Sequence, residues 1–122
     1  MAEEEGEKLS IAQRGAAPVT AMLRKARTAN PASALVAEET INQLGYDLAG
    51  RKNGDDAISI FRLNTEIYPA SGNAYDSLAE TYLALGDKAR ARESYAKALQ
   101  VQPDYGNAKA AREILRKLEN SP

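Results

Sequence analysis

The sequence predicts an all-α fold, a short right-handed superhelical stack of antiparallel helical hairpins. Three observations predict it: residues recur at one fixed spacing, apolar residues follow a helical period, and turn residues separate the apolar stretches. Leu44, Ala57 and Pro69 are each matched by the same residue type 34 positions later, at Leu78, Ala91 and Pro103 respectively. A period of about 34 residues is typical of repeats that contain two helices each.

The first helix of each repeat carries one apolar stripe. Ile41, Leu44 and Leu48 lie at i, i+3 and i+7, which places them on one helical face. The same spacing is seen in the second repeat for Tyr75, Leu78, Tyr82 and Leu85. Small residues, Gly45 and Ala79, follow the recurring leucines, and we expect them to let the paired helix approach closely.

The second helix of each repeat pairs a small residue with an aromatic residue four positions later. These pairs are Ala57 with Phe61 and Ala91 with Tyr95, and residues four apart share a helical face. The sequence therefore predicts two helices per repeat.

Turn residues separate these helices. Asn53-Gly54-Asp55 and Gly86-Asp87 tolerate positive φ and supply side-chain caps, and Pro69 and Pro103 end the second helices. We expect helices to begin near Ala17, Glu38, Asp55, Asn73, Asp87 and Asn107.

Half-repeats are predicted to flank two full repeats. Residues 1–9 are predicted to be a disordered acidic N-terminus, residues 10–37 a degenerate helical half-repeat with a weak helix at Ile11–Gln13, residues 38–71 the first repeat, residues 72–105 the second, and residues 106–122 a capping helix and tail. The capping helix has one apolar face and a charged face of Lys109, Arg112, Arg116 and Lys117. A terminal repeat with a polar outer face is what such arrays need for solubility.

The second repeat resembles the tetratricopeptide repeat. It carries the residues of that family's pattern at Tyr75, Leu78, Ala79, Tyr82, Gly86, Ala91, Tyr95, Ala98 and Pro103. The first repeat departs from the pattern at Ile41, Leu48, Lys52 and Asn64. The resemblance implies a solenoid that serves as a non-catalytic scaffold for protein–protein interaction and binds a peptide segment in its concave groove.

The family's groove positions fall on a polar, slightly acidic set of residues. They are Asn42, Tyr46, Asn73, Asp76, Ser77, Glu80, Leu83 and Asn107, with Ala49 and Ala110 at further positions. This set lacks the Lys and Arg with which some members bind a terminal carboxylate. The expected partner is therefore a protein or peptide segment with Lys or Arg and an apolar anchor. For Tyr46, a ligand contact and a merely exposed tyrosine are equally compatible with the sequence.

The stretch from Glu39 to Asp104 also resembles the C-terminal appendage of β-lactamase-like serine hydrolases. The resemblance rests on residues 41–46, 57–61 and 71–78. It implies an alternative function, a structural or self-associating appendage of a larger hydrolase with no separate ligand. Two full repeats are fewer than the about three that such arrays need for stability, so we expect either that the flanking half-repeats contribute or that the chain forms a homo-oligomer.

The sequence predicts no enzyme, no cofactor and no metal site. Ser94-Tyr95-Ala96-Lys97 has the letters S-x-x-K of a serine nucleophile, but no S-D-N or K-T-G partner motif is present. We expect only a surface serine and a lysine one turn apart. Four aspartates, Asp47, Asp55, Asp56 and Asp87, fit no ligand loop, and the last three stand where helix N-termini are predicted, so capping is their expected role. Histidine is absent.

Composition excludes further classes of partner. The net charge is −1 at pH 7, without a basic block that would favour nucleic acid. No stretch approaches the about 20 apolar residues of a membrane span, and the acidic start is unlike a signal peptide. We therefore expect a soluble chain without nucleic-acid or membrane binding, and its compartment stays open because the sequence has no cysteine.

Overall fold

The computed structural model describes residues 15–120, and within that range the backbone forms six α-helices and no β-strand. They are α1 (Ala17–Ala29), α2 (Glu38–Gly50), α3 (Gly54–Ile67), α4 (Gly72–Ala84), α5 (Lys88–Val101) and α6 (Ala108–Glu119). A short 3-10 helix, Ala34–Val36, lies between α1 and α2. The all-α prediction is confirmed for these residues.

The helices begin at or next to the predicted positions. The starts at Ala17 and Glu38 are those predicted, and each of the other four differs by one residue. Two of these differences arise because Asp87 and Asn107 are the N-cap residues that precede α5 and α6. The predictions for residues 1–9 and for Ile11–Gln13 concern residues outside the described part of the chain.

The chain divides into two compact units, Met1–Leu63 and Asn64–Pro122, which we call the N-terminal unit and the C-terminal unit. In the N-terminal unit the buried apolar side chains come from all of its helical segments. They are Val19, Leu23, Val36, Ile41, Leu48, Ala57, Ile60, Phe61 and Leu63. Ile41 and Leu48 belong to the predicted stripe of α2, and Leu44 of that stripe is half-buried.

Helices α2 and α3 approach closely where Gly45 faces Phe61. A methyl group added at Gly45 would lie 2.6 Å from Cζ of the Phe61 ring, well inside the separation of non-bonded carbon atoms. Ala57 on α3 is completely buried. The predicted need for small residues in this hairpin is therefore confirmed.

Helix α2 ends in a turn that places Lys52 at a φ of 60°. The backbone N–H of Asn53 donates to the Leu48 carbonyl at 2.9 Å, and that of Lys52 to the Ala49 carbonyl at 3.1 Å. This pair of bonds defines a Schellman motif, which requires a left-handed residue at the position of Lys52. The sequence-based expectation that Asn53 and Gly54 would supply the positive φ was wrong, because the motif fixes that conformation one residue earlier.

Asp56 ties the start of α3 to the start of α1. Its Oδ1 accepts a hydrogen bond of 3.0 Å from the backbone N–H of Ala16, the N-cap residue of α1. Asp55 and Asp56 both lie in the first turn of α3, where carboxylates oppose the positive end of the helix dipole. The Asp56 side chain thus accepts from the start of α1, a contact that the sequence did not reveal.

In the C-terminal unit, α4 and α5 form a helical hairpin with caps at both N-termini. The Ser71 hydroxyl accepts from the Ala74 N–H at 3.1 Å, and the Asp87 carboxylate accepts from the Arg90 N–H at 3.1 Å. The capping role predicted for Asp87 is confirmed. The hydrogen bond from the Arg90 side chain holds the pKa of the Asp87 carboxyl below its usual value.

The turn of this hairpin contains Gly86 at a φ of 86°. It is preceded by Leu85, which ends the predicted stripe of α4 but is 53% exposed. That expectation was wrong because α4 stops at Ala84 and the chain turns at Leu85, its C-cap residue.

Helix α6 packs against the hairpin through its apolar face. The core cluster of this unit consists of Ala79, Ala91, Tyr95, Ala98, Tyr105, Ala108, Ala111 and Leu118. The four cations on the charged face of α6, Lys109, Arg112, Arg116 and Lys117, are exposed, as the capping role predicts. Arg92 of α5 reaches the other end of α6, where its Nη1 donates to the Leu118 carbonyl at 3.3 Å.

Candidate partner-binding surface

The N-terminal end of α4 is fastened to the segment that connects α5 with α6. The backbone N–H of Gly72 donates to Oε1 of Gln102 at 2.9 Å. A methyl group at Gly72 would lie 2.6 Å from Cδ1 of Tyr105, so the tyrosine ring needs a glycine at this place. These contacts set the position of α4 relative to the residues before α6.

Asp76 lies at the centre of this junction. Its Oδ2 accepts a hydrogen bond of 2.5 Å from the Tyr105 hydroxyl and one of 3.0 Å from Nδ2 of Asn107. Asp76 is only 5% exposed. A buried carboxylate needs donors to replace water, and here both donors are neutral side chains.

The same junction alters the acidity of Tyr105. Burial of the ring, and next the hydrogen bond to Asp76, raise the pKa of the Tyr105 hydroxyl well above its ordinary value of 10.0. Deprotonation would place a phenolate beside a carboxylate. Tyr105 therefore stays a hydrogen-bond donor throughout the neutral range.

The predicted groove residues of the C-terminal unit differ in exposure. Asn73, Glu80 and Asn107 are exposed, and Leu83 is half-buried against the core cluster. Asp76 and Ser77 are buried, at 5% and 2% exposure. The exposed members have polar atoms that reach solvent, whereas the buried Asp76 carboxylate contacts Tyr105 and Asn107.

The predicted groove residues of the N-terminal unit, Asn42 and Tyr46, are both half-buried on α2. The Tyr46 ring meets the Phe61 ring edge to face, with 5.0 Å between ring centroids and an interplanar angle of 72°. Oδ1 of Asn42 is buried and accepts no hydrogen bond from any described residue. Tyr46 is thus neither fully exposed nor separate from the packed face of α2.

Charge is unevenly distributed on the helix that contributes most of these residues. α4 contains Asp76 and Glu80 and no Lys or Arg. The exposed carboxylate of Glu80 lies one turn from Asp76, at i+4, and one turn from Leu83, at i+3, so the three share a helical face. This face combines a negative charge with a partly accessible apolar side chain.

The S-x-x-K letters do not form a surface pair. Ser94 is buried at 8% exposure, and Lys97 is exposed. The expectation of a surface serine was wrong, because α5 turns position 94 toward the interior along with Ala91 and Tyr95.

Among the described residues, no three His, Cys, Asp or Glu side chains are grouped so that they could hold a metal ion. No helix in residues 15–120 is both long and apolar enough to cross a membrane.

Sequence reasoning missed the residues that organise this surface. The junction between α4 and the segment before α6 is formed by Gly72, Gln102 and Tyr105. These residues belong to no apolar stripe and to no catalytic motif. Their partners lie about 30 positions away in sequence, and no local period can indicate such pairs. The one available signal was the run Gly106-Asn107-Ala108, which repeats Gly72-Asn73-Ala74.

Comparison with protein families matches residues 72–105 to the tetratricopeptide repeat. This confirms the resemblance that the sequence predicts for the second repeat. A search of curated proteins found no match.

Proposed function

We propose that this chain, in which residues 72–105 form a tetratricopeptide repeat, is a non-catalytic scaffold that binds a segment of another protein. Tetratricopeptide repeats generally mediate interactions between proteins. The observation that carries the proposal is the helix pair α4 and α5 inside that match, whose first helix leaves polar side chains exposed beside a packed core.

The proposed contact surface of the C-terminal unit consists of Asn73, Glu80, Leu83 and Asn107. The first three follow one face of α4, and Asn107 immediately precedes α6. In the N-terminal unit, the proposed contacts are Asn42 and Tyr46 of α2, which lie 34 positions before Asp76 and Glu80.

The charge of the surface favours a basic segment. α4 contributes the exposed carboxylate of Glu80 and no cation, so a Lys or Arg of the partner would be attracted to Glu80 and a terminal carboxylate would be repelled. Leu83 supplies the apolar part of the contact. We propose an extended or helical segment with a cation and an apolar side chain as the ligand.

The experiment is a selection of displayed random peptides on the immobilised chain, followed by affinity measurements on two charge-reversal variants. Glu80→Lys should weaken the selected peptides about tenfold, which corresponds to about 1.4 kcal/mol. Glu93→Lys makes the same change at an exposed glutamate of α5 and should leave the affinity unchanged.

Equal losses in both variants would mean that only net charge is sensed, and unchanged binding in both would mean that the peptides bind elsewhere. Either result would refute the proposed surface. A selection that yields no binding peptide at all would refute the peptide-binding function itself.

A further inference from the structure

Asn107 is the N-cap residue of α6, yet it does not cap that helix with its side chain. At this position an asparagine oxygen commonly accepts from a backbone N–H of the first turn. In this chain the side chain turns toward α4 instead, and its Nδ2 donates to Oδ2 of Asp76 at 3.0 Å. The usual structural role of an N-cap asparagine is therefore not the one that Asn107 fulfils.

The contact with Asp76 fixes which end of the Asn107 amide faces outward. A carboxylate only accepts hydrogen bonds, so the end of the amide beside it must be the NH2 group. The amide oxygen, Oδ1, is then the end of the group that makes no hydrogen bond with any residue in the range 15–120. A free surface asparagine would have no such preference.

The carboxylate that orients the amide is itself held in place. Asp76 is 5% exposed, and the Tyr105 hydroxyl donates to the same Oδ2 at 2.5 Å. Tyr105 is also 5% exposed and belongs to the core cluster. Asn107 is exposed, so an exposed amide is anchored through a buried carboxylate to the core.

We propose that Asp76 is a positioning residue that holds Asn107 so that its Oδ1 accepts a hydrogen bond from a main-chain N–H of the bound segment. The inference rests on the proposed function and names the chemistry of one of its contacts. The negative charge of Asp76 is buried and already accepts two hydrogen bonds, so the atom offered to a partner is a neutral oxygen. A neutral peptide N–H fits this acceptor, whereas a cation of the partner is better matched by Glu80.

The inference is tested without the natural partner. N-methylacetamide carries the N–H donor of a peptide group, and N,N-dimethylacetamide is a similar amide without that donor. Both are titrated into the 15N-labelled chain, and the side-chain amide signal of Asn107 is followed by NMR. At equal concentrations far below saturation, we expect N-methylacetamide to shift this signal about fivefold more than N,N-dimethylacetamide, since one hydrogen bond contributes about 1 kcal/mol.

Variants then test the positioning role. Asp76→Ala should remove the difference between the two probes and should speed the hydrogen exchange of the Asn107 NH2 group. Tyr105→Phe deletes the other hydrogen bond to the same carboxylate and leaves the bond to Asn107, so it should keep most of the difference. If Asp76→Ala fails to fold, the exposed substitution Asn107→Ala takes its place, and selected peptides should bind it about fivefold more weakly.

Equal shifts with both probes in the wild-type chain, or an unchanged difference in folded Asp76→Ala, would overturn the inference. So would unchanged peptide affinity in Asn107→Ala. These failures are distinguishable from failure of the proposed function, because the affinity loss in Glu80→Lys tests the surface without Asn107. The amide titration, in turn, needs no selected peptide.

Discussion

The two hairpins of this chain end their first helices with the same backbone motif built from different residues. After α2, the residue with positive φ is Lys52, at 60°. After α4 it is Gly86, at 86°, and the two lie 34 positions apart. In both turns, the backbone N–H of the residue that directly follows the positive-φ residue donates to a carbonyl in the last turn of the helix. Asn53 donates to Leu48 and Asp87 donates to Tyr82, each at 2.9 Å.

The hairpins also differ in how they fill the space between their helices. In the first, the Phe61 ring lies against Gly45 and meets the Tyr46 ring edge to face. In the second, Ala79 and Tyr95 occupy the equivalent positions, and both are buried. The second hairpin carries the larger residue at both positions, so the comparison teaches that the same repeat backbone accommodates different residues at its signature positions.

The largest expected effect comes from Gly45→Ala. The new methyl group would lie 2.6 Å from Cζ of Phe61, and relieving this overlap must move the ring or the helix. We expect a loss of about 3 kcal/mol in the free energy of unfolding, measured by urea denaturation. Hydrogen exchange should show the loss in the amides of the N-terminal unit.

Gly50→Ala is the matched control for this substitution. Gly50 lies at the end of the same helix, and a methyl group there would meet nothing within 4 Å. It should gain up to about 1 kcal/mol from the higher helix propensity of alanine. If Gly45→Ala is as stable as Gly50→Ala, close approach does not explain the glycine of the first hairpin.

Local patterns predicted the helices of this fold more fully than its connections. Helical spacing, recurring prolines and capping aspartates are properties of neighbouring residues, and they placed every described helix start within one residue. The bond from Ala16 to Asp56 spans 40 positions, and the one from Tyr105 to Asp76 spans 29. Such bonds depend on how helices pack, which no local spacing encodes.

The second prediction concerns the junction of the C-terminal unit, which is built on Tyr105, where the residue 34 positions earlier is Ser71. Tyr105→Phe removes the donor that lies 2.5 Å from the buried Asp76 carboxylate. We expect a loss of about 2 kcal/mol, since the bond involves a charged and poorly solvated acceptor. The measurement is the free energy of unfolding in urea.

Tyr75→Phe serves as the control, because the Tyr75 hydroxyl makes no hydrogen bond within residues 15–120. It should change stability by less than about 0.5 kcal/mol. Similar losses in both variants would show that the hydroxyl of Tyr105 has no special role.

Alkaline pH gives an independent measure of the same junction. The folded-state pKa of Tyr105 is raised above the ordinary value of 10.0, so the folded chain retains a proton that the unfolded chain loses. The stabilisation is therefore complete below pH 10 and is lost as the pH rises above it. Between about pH 9 and about pH 11, the wild-type chain should lose more stability than Tyr105→Phe, and parallel pH profiles would contradict the assignment.

For the candidate site, the sequence proposes which residues belong to it but does not indicate which of them are buried. The family pattern placed Asp76 and Asn107 on one surface, and the structure joins them by a hydrogen bond of 3.0 Å. Which of them is buried depends on Tyr105, whose ring occupies the space beside Gly72. A pattern assigns a position, but the burial of a side chain follows from the size of its neighbours.

The smallest expected effect, and the most direct test of the comparison, is an exchange of the two turn residues. A residue with a Cβ in the left-handed region costs about 1 kcal/mol, and glycine avoids that cost although its greater freedom in the unfolded chain offsets part of the gain. Lys52→Gly should therefore stabilise the chain by up to about 1 kcal/mol, and Gly86→Lys should destabilise it by about the same amount. Both are read from urea midpoints at an unchanged denaturant slope.

Lys52→Ala removes the charge and keeps the Cβ, so a gain in Lys52→Ala equal to that in Lys52→Gly would assign the effect to charge rather than to backbone conformation. The exchange thus decides whether the first hairpin keeps a strained residue where the second has an unstrained one.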